Sequence, residues 1–241
     1  MRQVSALIAL VLLAACGSNS EDMKKIQESQ RLILAKLAEL EKKIDQVSVK
    51  PAAQGPQIDP NRAYDIPVAN SPFKGAAKAP VVVTLFSDFQ CPFCAQVSPL
   101  VDQVMKAYPK EVKFVYKEFP LVTIHQNAMP AARAALAAGK QGKFWDMHDK
   151  LFSNQRALQP DNLKQYAKEI GLDVAKFERD MKSPEVQKEI DEDVKLAQQS
   201  QVSGTPTLFI NGKRVTNRTV EGMKQMVDDA LKAAKGVVGS R

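Results

Sequence analysis

Apolar residues recur along this chain with two different periods, and the change between them divides it. Over residues 21–48, Met23, Ile26, Gln30, Ile33, Leu37, Leu40, Ile44 and Val47 step alternately by three and four, while the positions between them are mostly Glu, Lys, Gln and Ser. That is a heptad seam, with Met23, Gln30, Leu37 and Ile44 at a and Ile26, Ile33, Leu40 and Val47 at d. A single helix of this kind has no partner of its own for the stripe, so self-association is its natural solution. Leu and Ile at a with β-branched residues at d lean away from a parallel dimer toward higher order, and Gln30 in the seam sets register at some cost in stability. Packing of the stripe on the protein's own second domain is the alternative. The linker from Pro51 to about Pro60, with Pro and Ala in its composition, allows either arrangement.

From about Tyr64 the pattern becomes that of a compact α/β domain. Asp65 to Val68 reads as a short edge strand, Val81 to Phe86 as a buried central strand, and Val112 to Tyr116 as a second apolar strand. Between the two, Val97, Leu100, Val101, Val104, Met105 and Tyr108 recur at helical spacing. A helical block follows: Pro130 sits in a first turn, an Ala-rich run ends at Gly139, and Phe144, His148 and Phe152 share one face. Leu163, Tyr166 and Ile170 precede Gly171, and Ser183-Pro184 opens a helix carrying Val186, Ile190, Val194 and Ala197. Thr207 to Ile210, Asn211-Gly212 and Lys213 to Val215 read as a tight β-hairpin. Val220, Met223, Val227, Ala230, Leu231 and Ala234 then make a last amphipathic helix.

The first residues have a different purpose. Arg2 supplies a positive start, Ala6 to Leu13 an apolar run too short to remain as a membrane-spanning helix, and Leu13-Ala14-Ala15-Cys16 a small-residue end. A leucine three residues before a cysteine resembles the lipobox of bacterial lipoproteins, which implies acylation of Cys16 as the first mature residue. Gly17 is not the aspartate that resembles an inner-membrane retention signal, so the resemblance favours the outer membrane. The expected organisation is a signal peptide over 1–15, a lipidated N-terminus and coiled coil over 16–49, a linker over 50–63, and the compact domain over 64–241.

The chain has three cysteines and a formal net charge of +7. The charge is moderate, and no Lys/Arg cluster interleaves with aromatic residues, which argues against nucleic acid as a partner. With Cys16 assigned to export, one pair remains, Cys91-Pro92-Phe93-Cys94. It closes too small a loop to add much as a staple, so in an oxidising compartment it points to chemistry rather than architecture. It lies where a strand gives way to a helix. There the free N–H groups and helix dipole push the first thiol's pKa below the ~8.5 of a free cysteine. Cys94, one turn in, is expected to be the more buried, resolving thiol, and Pro92 suits the first helical turn. One such pair with the distant His125 and His148 is too thin a donor set for zinc, and no metal or cofactor is expected. His148 reads as a packed core residue and Trp145 as core. Asp88, Lys117 and Glu118 are candidate proton acceptors for Cys94 that stay outside the catalytic set.

The order strand, helix, strand, helical block, hairpin, helix resembles the thioredoxin fold with a helical insertion (about 122–200), as in the DsbA family of bacterial disulfide oxidoreductases. The resemblance rests on Ser87 to Cys94, Glu118-Phe119-Pro120-Leu121, Gly142-Lys143-Phe144-Trp145 through His148, and Val202-Ser203-Gly204-Thr205-Pro206-Thr207. It implies a cis Thr205-Pro206 bond beside the cysteines, with Thr205 and Pro206 docking an extended substrate by strand addition. Phe93 stands where the best-known DsbA pattern has histidine, and without a donor or charge there a less oxidising protein is expected. With lipobox and heptads, the chain resembles a lipid-anchored, oligomeric branch of that family. Its implied partners are unfolded or misoxidised exported proteins and a membrane redox partner. The expected function is a periplasm-facing oxidoreductase that forms or isomerises disulfides. A non-catalytic envelope lipoprotein using the fold as a scaffold, and a periplasmic disulfide reductase, are the alternatives.

Overall fold

A computed structural model describes residues 20–46, 59 and 62–238. Its contacts divide the chain into two units, Met1–Gln57 and Ile58–Arg241. The signal segment, Cys16 and nearly all of the linker lie outside the described residues.

Among the described residues the first unit contributes one helix, α1 (Ser20–Gln46). Its seam residues Ile26, Ile33, Leu37 and Leu40 are all more than half exposed, and so are Leu32 and Leu34 beside them. The side chains of Met23 and Ile44, and the whole of Val47, lie outside the described residues.

In the second unit the sheet runs in the order β1-β3-β2-β4-β5. The strands are β1 (Phe73–Gly75), β2 (Val81–Ser87), β3 (Val112–Glu118), β4 (Thr207–Ile210) and β5 (Lys213–Arg214). β2 and β3 are parallel, with Leu85 opposite Tyr116 and Ser87 opposite Glu118, while β1, β4 and β5 each pair antiparallel. The near-continuous burial of β2 and β3 follows from their parallel pairing with packing on both faces. Val83, Leu85, Phe114, Tyr116, Leu208 and Ile210 point to one face and share a core with α2 (Pro92–Ala107) and α8 (Val220–Val238). Phe86 and Phe209 point to the other, against Ala197 of α7 (Pro184–Gln199), Val202 and Tyr64. Between β3 and α7 the helical insertion folds as α3 (Ala128–Gly139), α4 (Phe144–Ser153), α5 (Pro160–Glu169) and α6 (Val174–Met181). Its buried alanines pack continuously with the main core.

Local signals explain the ends of these elements. Ser183 Oγ accepts from the Val186 N–H and caps α7, as its place before Pro184 implies. Asn211 and Gly212 both have positive φ (45° and 79°), the backbone a type I′ hairpin turn needs. A Cβ on Gly212 would lie 2.2 Å from the Tyr64 carbonyl oxygen, so close approach also demands glycine here. One strand differs from expectation. Asp65 to Val68 is irregular, and the edge strand is Phe73–Gly75. The upstream segment instead follows the hairpin, through an Ala63–Lys213 bridge and a Tyr64 N–H to Gly212 carbonyl bond of 2.9 Å.

Candidate active site

Cys91 is the N-cap of α2 and Pro92 its first residue, so the redox pair sits where the central strand β2 hands over to a helix N-terminus. Cys91 is 4% exposed and Cys94 is fully buried; both are free thiols. The Thr205–Pro206 peptide is cis, and the Cys91 thiol lies 3.5 Å from the Thr205 carbonyl. The two halves of the site, far apart in sequence, therefore meet at the Cys91 sulfur. Arg218 donates to the Pro206 carbonyl (3.2 Å) and Thr207 Oγ1 to the Gly204 carbonyl (2.8 Å). Arg214 donates to the Ser200 and Gln201 carbonyls at 3.2 and 2.6 Å, completing the hold on this loop.

The two thiols are driven in opposite directions. Hydrogen bonding from the Cys94 thiol lowers the Cys91 pKa to about 5, against the opposing effect of burial. The Thr205 hydroxyl and the backbone N–H groups of Cys94 and Phe93 add to the lowering. Burial pushes the Cys94 pKa far up, the pairing with Cys91 adds to this, and hydrogen bonds from Ser87, the Asp88 backbone and Thr205 oppose it. Cys91 is thus a thiolate at neutral pH, and Cys94 keeps its proton. Phe93 contributes its backbone; its side chain is 62% exposed and Pro92 is also exposed.

The remaining candidates separate clearly. Asp88 is engaged on both oxygens: Oδ1 accepts from Gln90 N–H, and Oδ2 accepts from Leu121 N–H and pairs with His125 Nδ1 at 2.8 Å. Together with a bond from the Asn127 N–H to Gln90 Oε1, this laces the loop after β3 to the turn that precedes Cys91. Lys117 is bound to Asp193 at 2.7 Å, and the other Asp193 oxygen accepts from the Glu118 N–H. Glu118 itself is 1% exposed, and neither carboxyl oxygen has a hydrogen-bond partner among the described residues. Its pKa is pushed well up by burial first and by Asp193 and Asp88 next. The Tyr116 hydroxyl nearby is also buried without a hydrogen-bond partner among the described residues. His148 is a core residue, surrounded by Phe89, Tyr116, Trp145 and Phe152 at ring-centroid distances of 4.9 to 5.8 Å, and its pKa is lowered by burial. Trp145 is half-buried, donating to the Phe73 carbonyl at 3.0 Å. Among the described residues no group of three or more His, Cys, Asp or Glu is placed to hold a metal.

Sequence reasoning missed Arg214, Arg218, Asp193 and Gln155, the last of which donates to the Phe89 and Cys91 carbonyls. Each acts on a backbone carbonyl or a charge brought close only by folding, and no local pattern announces any of them.

A thioredoxin family model matches residues 68–229, which include both cysteines and the cis-proline loop. The chain belongs to the thioredoxin family. Its architecture is DsbA-like: the Pseudomonas aeruginosa DsbA2 structure is 26% identical with a TM-score of 0.55, covering 70% of this chain and 97% of that one. Oxidised BdbD from Bacillus subtilis aligns with a TM-score of 0.64 at 24% identity, over 70% of this chain and 97% of its own. Among curated relatives, the Na(+)/H(+) antiporter NhaA 3 of Salinispora tropica is 39% identical over 157 residues, which is 65% of this chain and 23% of the antiporter. The match therefore spans about a quarter of that relative.

Proposed function

We propose that this protein is an envelope thiol–disulfide oxidoreductase that forms or isomerises disulfides in exported proteins. The observation that carries this reading is the asymmetry of the pair, a thiolate at Cys91 beside the Thr205 carbonyl and a protonated, buried Cys94. In oxidation, a substrate thiolate attacks the Cys91 sulfur of the Cys91–Cys94 disulfide, forming a mixed disulfide as the bond to Cys94 breaks. Cys94 leaves with the electron pair and takes up a proton, as its high pKa favours. A second substrate thiolate then attacks the substrate sulfur of the mixed disulfide, and Cys91 departs as a thiolate. The substrate has lost two electrons and the enzyme holds them as a dithiol, to be passed to a membrane redox partner. In isomerisation the reduced Cys91 thiolate attacks a wrong disulfide and is released once the correct partner thiol takes its place. The extended substrate segment pairs with the backbone at Thr205, with Pro206 and the exposed Phe93 flanking it.

Cys16 is the acylation site in this reading, and its lipid holds the protein to the envelope, facing the periplasm, with the outer membrane favoured. The exposed stripe of α1 joins copies of the chain, bringing several redox sites around one space, an arrangement suited to isomerisation. Insulin reduction and refolding of scrambled ribonuclease, each compared with Cys91→Ser, test the reaction. The wild type should exceed the mutant by orders of magnitude, and equal rates would sink the reading. A Cys94→Ala variant should trap mixed disulfides with exported proteins in cells; a bare scaffold would trap none.

A further inference from the structure

The turn that presents Cys91 is gripped from the helical insertion. Gln155, just beyond the end of α4, donates from Nε2 to the Phe89 carbonyl at 2.8 Å and to the Cys91 carbonyl at 2.9 Å. Both neighbours are acceptors, which assigns the nitrogen rather than the oxygen of the carboxamide to this side and uses both of its N–H groups. The Cys91 carbonyl already accepts from Cys94 N–H (3.1 Å) and Ala95 N–H (3.4 Å) in the first turn of α2. The Gln155 bond is therefore added to a working helix start rather than standing in for a missing partner.

The same stretch holds the turn by its side chain. Phe152, three residues earlier, packs on the Phe89 ring at 4.9 Å, and Tyr116 stacks on that ring at 5.2 Å. Gln155 is itself fixed by the way α4 ends. Asn154 N–H donates to the Leu151 carbonyl (3.1 Å), Asn154 Nδ2 to the Lys150 carbonyl (2.8 Å), and Ala157 N–H to the Asn154 carbonyl (2.8 Å). A ring contact and two hydrogen bonds from one short segment thus hold residues 89–91.

We propose that Gln155 is a positioning residue for disulfide exchange, holding the Phe89–Cys91 turn in the shape that aims the first amides of α2 at the Cys91 sulfur. This deepens the proposed function and rests on it. Its sign follows from electrostatics. The amide protons, the positive end of the side-chain dipole, oppose the negative ends of two carbonyls next to the thiolate. Removing them disfavours the thiolate, a carboxylate there disfavours it more, and an ammonium restores a donor and adds a favourable charge.

Thiolate absorbance of the reduced full-length protein, titrated against pH for wild type, Gln155→Leu, Gln155→Glu and Gln155→Lys, tests this, with melting temperatures measured alongside. The leucine variant should titrate about half to one unit above wild type, the value of roughly one lost hydrogen bond. Below pH 5 its alkylation by iodoacetamide should slow by about 3- to 10-fold, which is that shift as a thiolate ratio. The glutamate variant should lie higher still, and the lysine variant should return to wild type or below. If the variants lose melting temperature while Cys91 titrates as in wild type, Gln155 only packs and the proposal fails. Should the glutamate variant not fold, the leucine and lysine pair decides by the same order. The titration needs no substrate, so a wild type inert toward insulin would remove the proposed function without touching the order of the series.

Discussion

Two helices of this chain, α1 and α2, carry apolar stripes of similar quality and have opposite fates. In α2 the stripe of Val97, Val101 and Val104 is buried against the sheet, and the helix N-terminus that results activates Cys91. In α1 the stripe of Ile26, Ile33, Leu37 and Leu40 stays more than half exposed within one chain. A periodic pattern states that a face will be buried; it does not state against what. The neighbours of α2 in sequence are strands that pair with one another and present a matching surface. The neighbours of α1 in sequence are a signal-like segment and a Pro-containing linker, which have no strand pattern of this kind.

The largest effect that separates the two helices is assembly. Replacing Ile33 and Leu37 by glutamate in the full chain should reduce its solution mass to that of a monomer, read by light scattering. The melting temperature of the redox domain should not move; if it falls with the mass, α1 packs on the domain and the contrast collapses. A second effect belongs to α2 alone. The Cys91 pKa is about 5 in the fold against the ~8.5 of a free cysteine, so the thiolate stabilises the folded reduced state fully above that free value, and the stabilisation is lost as pH falls through about 5. The stability advantage of reduced wild type over Cys91→Ser should therefore shrink steadily over that window in denaturant titrations and vanish below it. A smaller and more local contrast comes from truncation: Val101→Ala should cost about 2 kcal/mol of domain stability, and Leu37→Ala none. Smallest of all, Glu118→Gln should stabilise the domain more at pH 8 than at pH 4. Burial raises the Glu118 pKa, so the ionised form that glutamine removes weighs against folding only as pH rises. An equal difference at both pH values would mean that folding leaves the Glu118 pKa where it is in the unfolded chain.

Much of this was legible in the order of residues. The run Val81 to Phe86 followed by Cys91-Pro92-Phe93-Cys94 reads as strand, turn and helix because continuous apolar burial and a first-turn proline leave few alternatives. Asn211-Gly212 reads as a hairpin because few residues accept positive φ. Asp65 to Val68 misled, since a short apolar segment pairs wherever a neighbour is free, and the hairpin offered only the Ala63 bridge while β3 took Phe73–Gly75. Asp88 and Glu118 looked equivalent as candidate acids. The fold gave the Asp88 carboxylate partners on both oxygens and the Glu118 carboxyl none among the described residues, and the Asp88 partners Leu121 and His125 come from more than thirty residues away.

The sequence by itself determined the periods, the turn chemistry, and the presence of one redox pair at a strand-to-helix junction, because each is set by residues close in the chain. The helix start already named Cys91 as the acidic thiol and Cys94 as the buried one; only the tertiary structure decided how far the two are driven apart, to a pKa of about 5 at Cys91 and full burial at Cys94. It also brought Thr205 to the Cys91 sulfur and Gln155 to the turn beneath it. The lowering of the Cys91 pKa starts from its neighbours Cys94 and Phe93, while solvent access and the Thr205 contact arise from chain segments that meet only after folding.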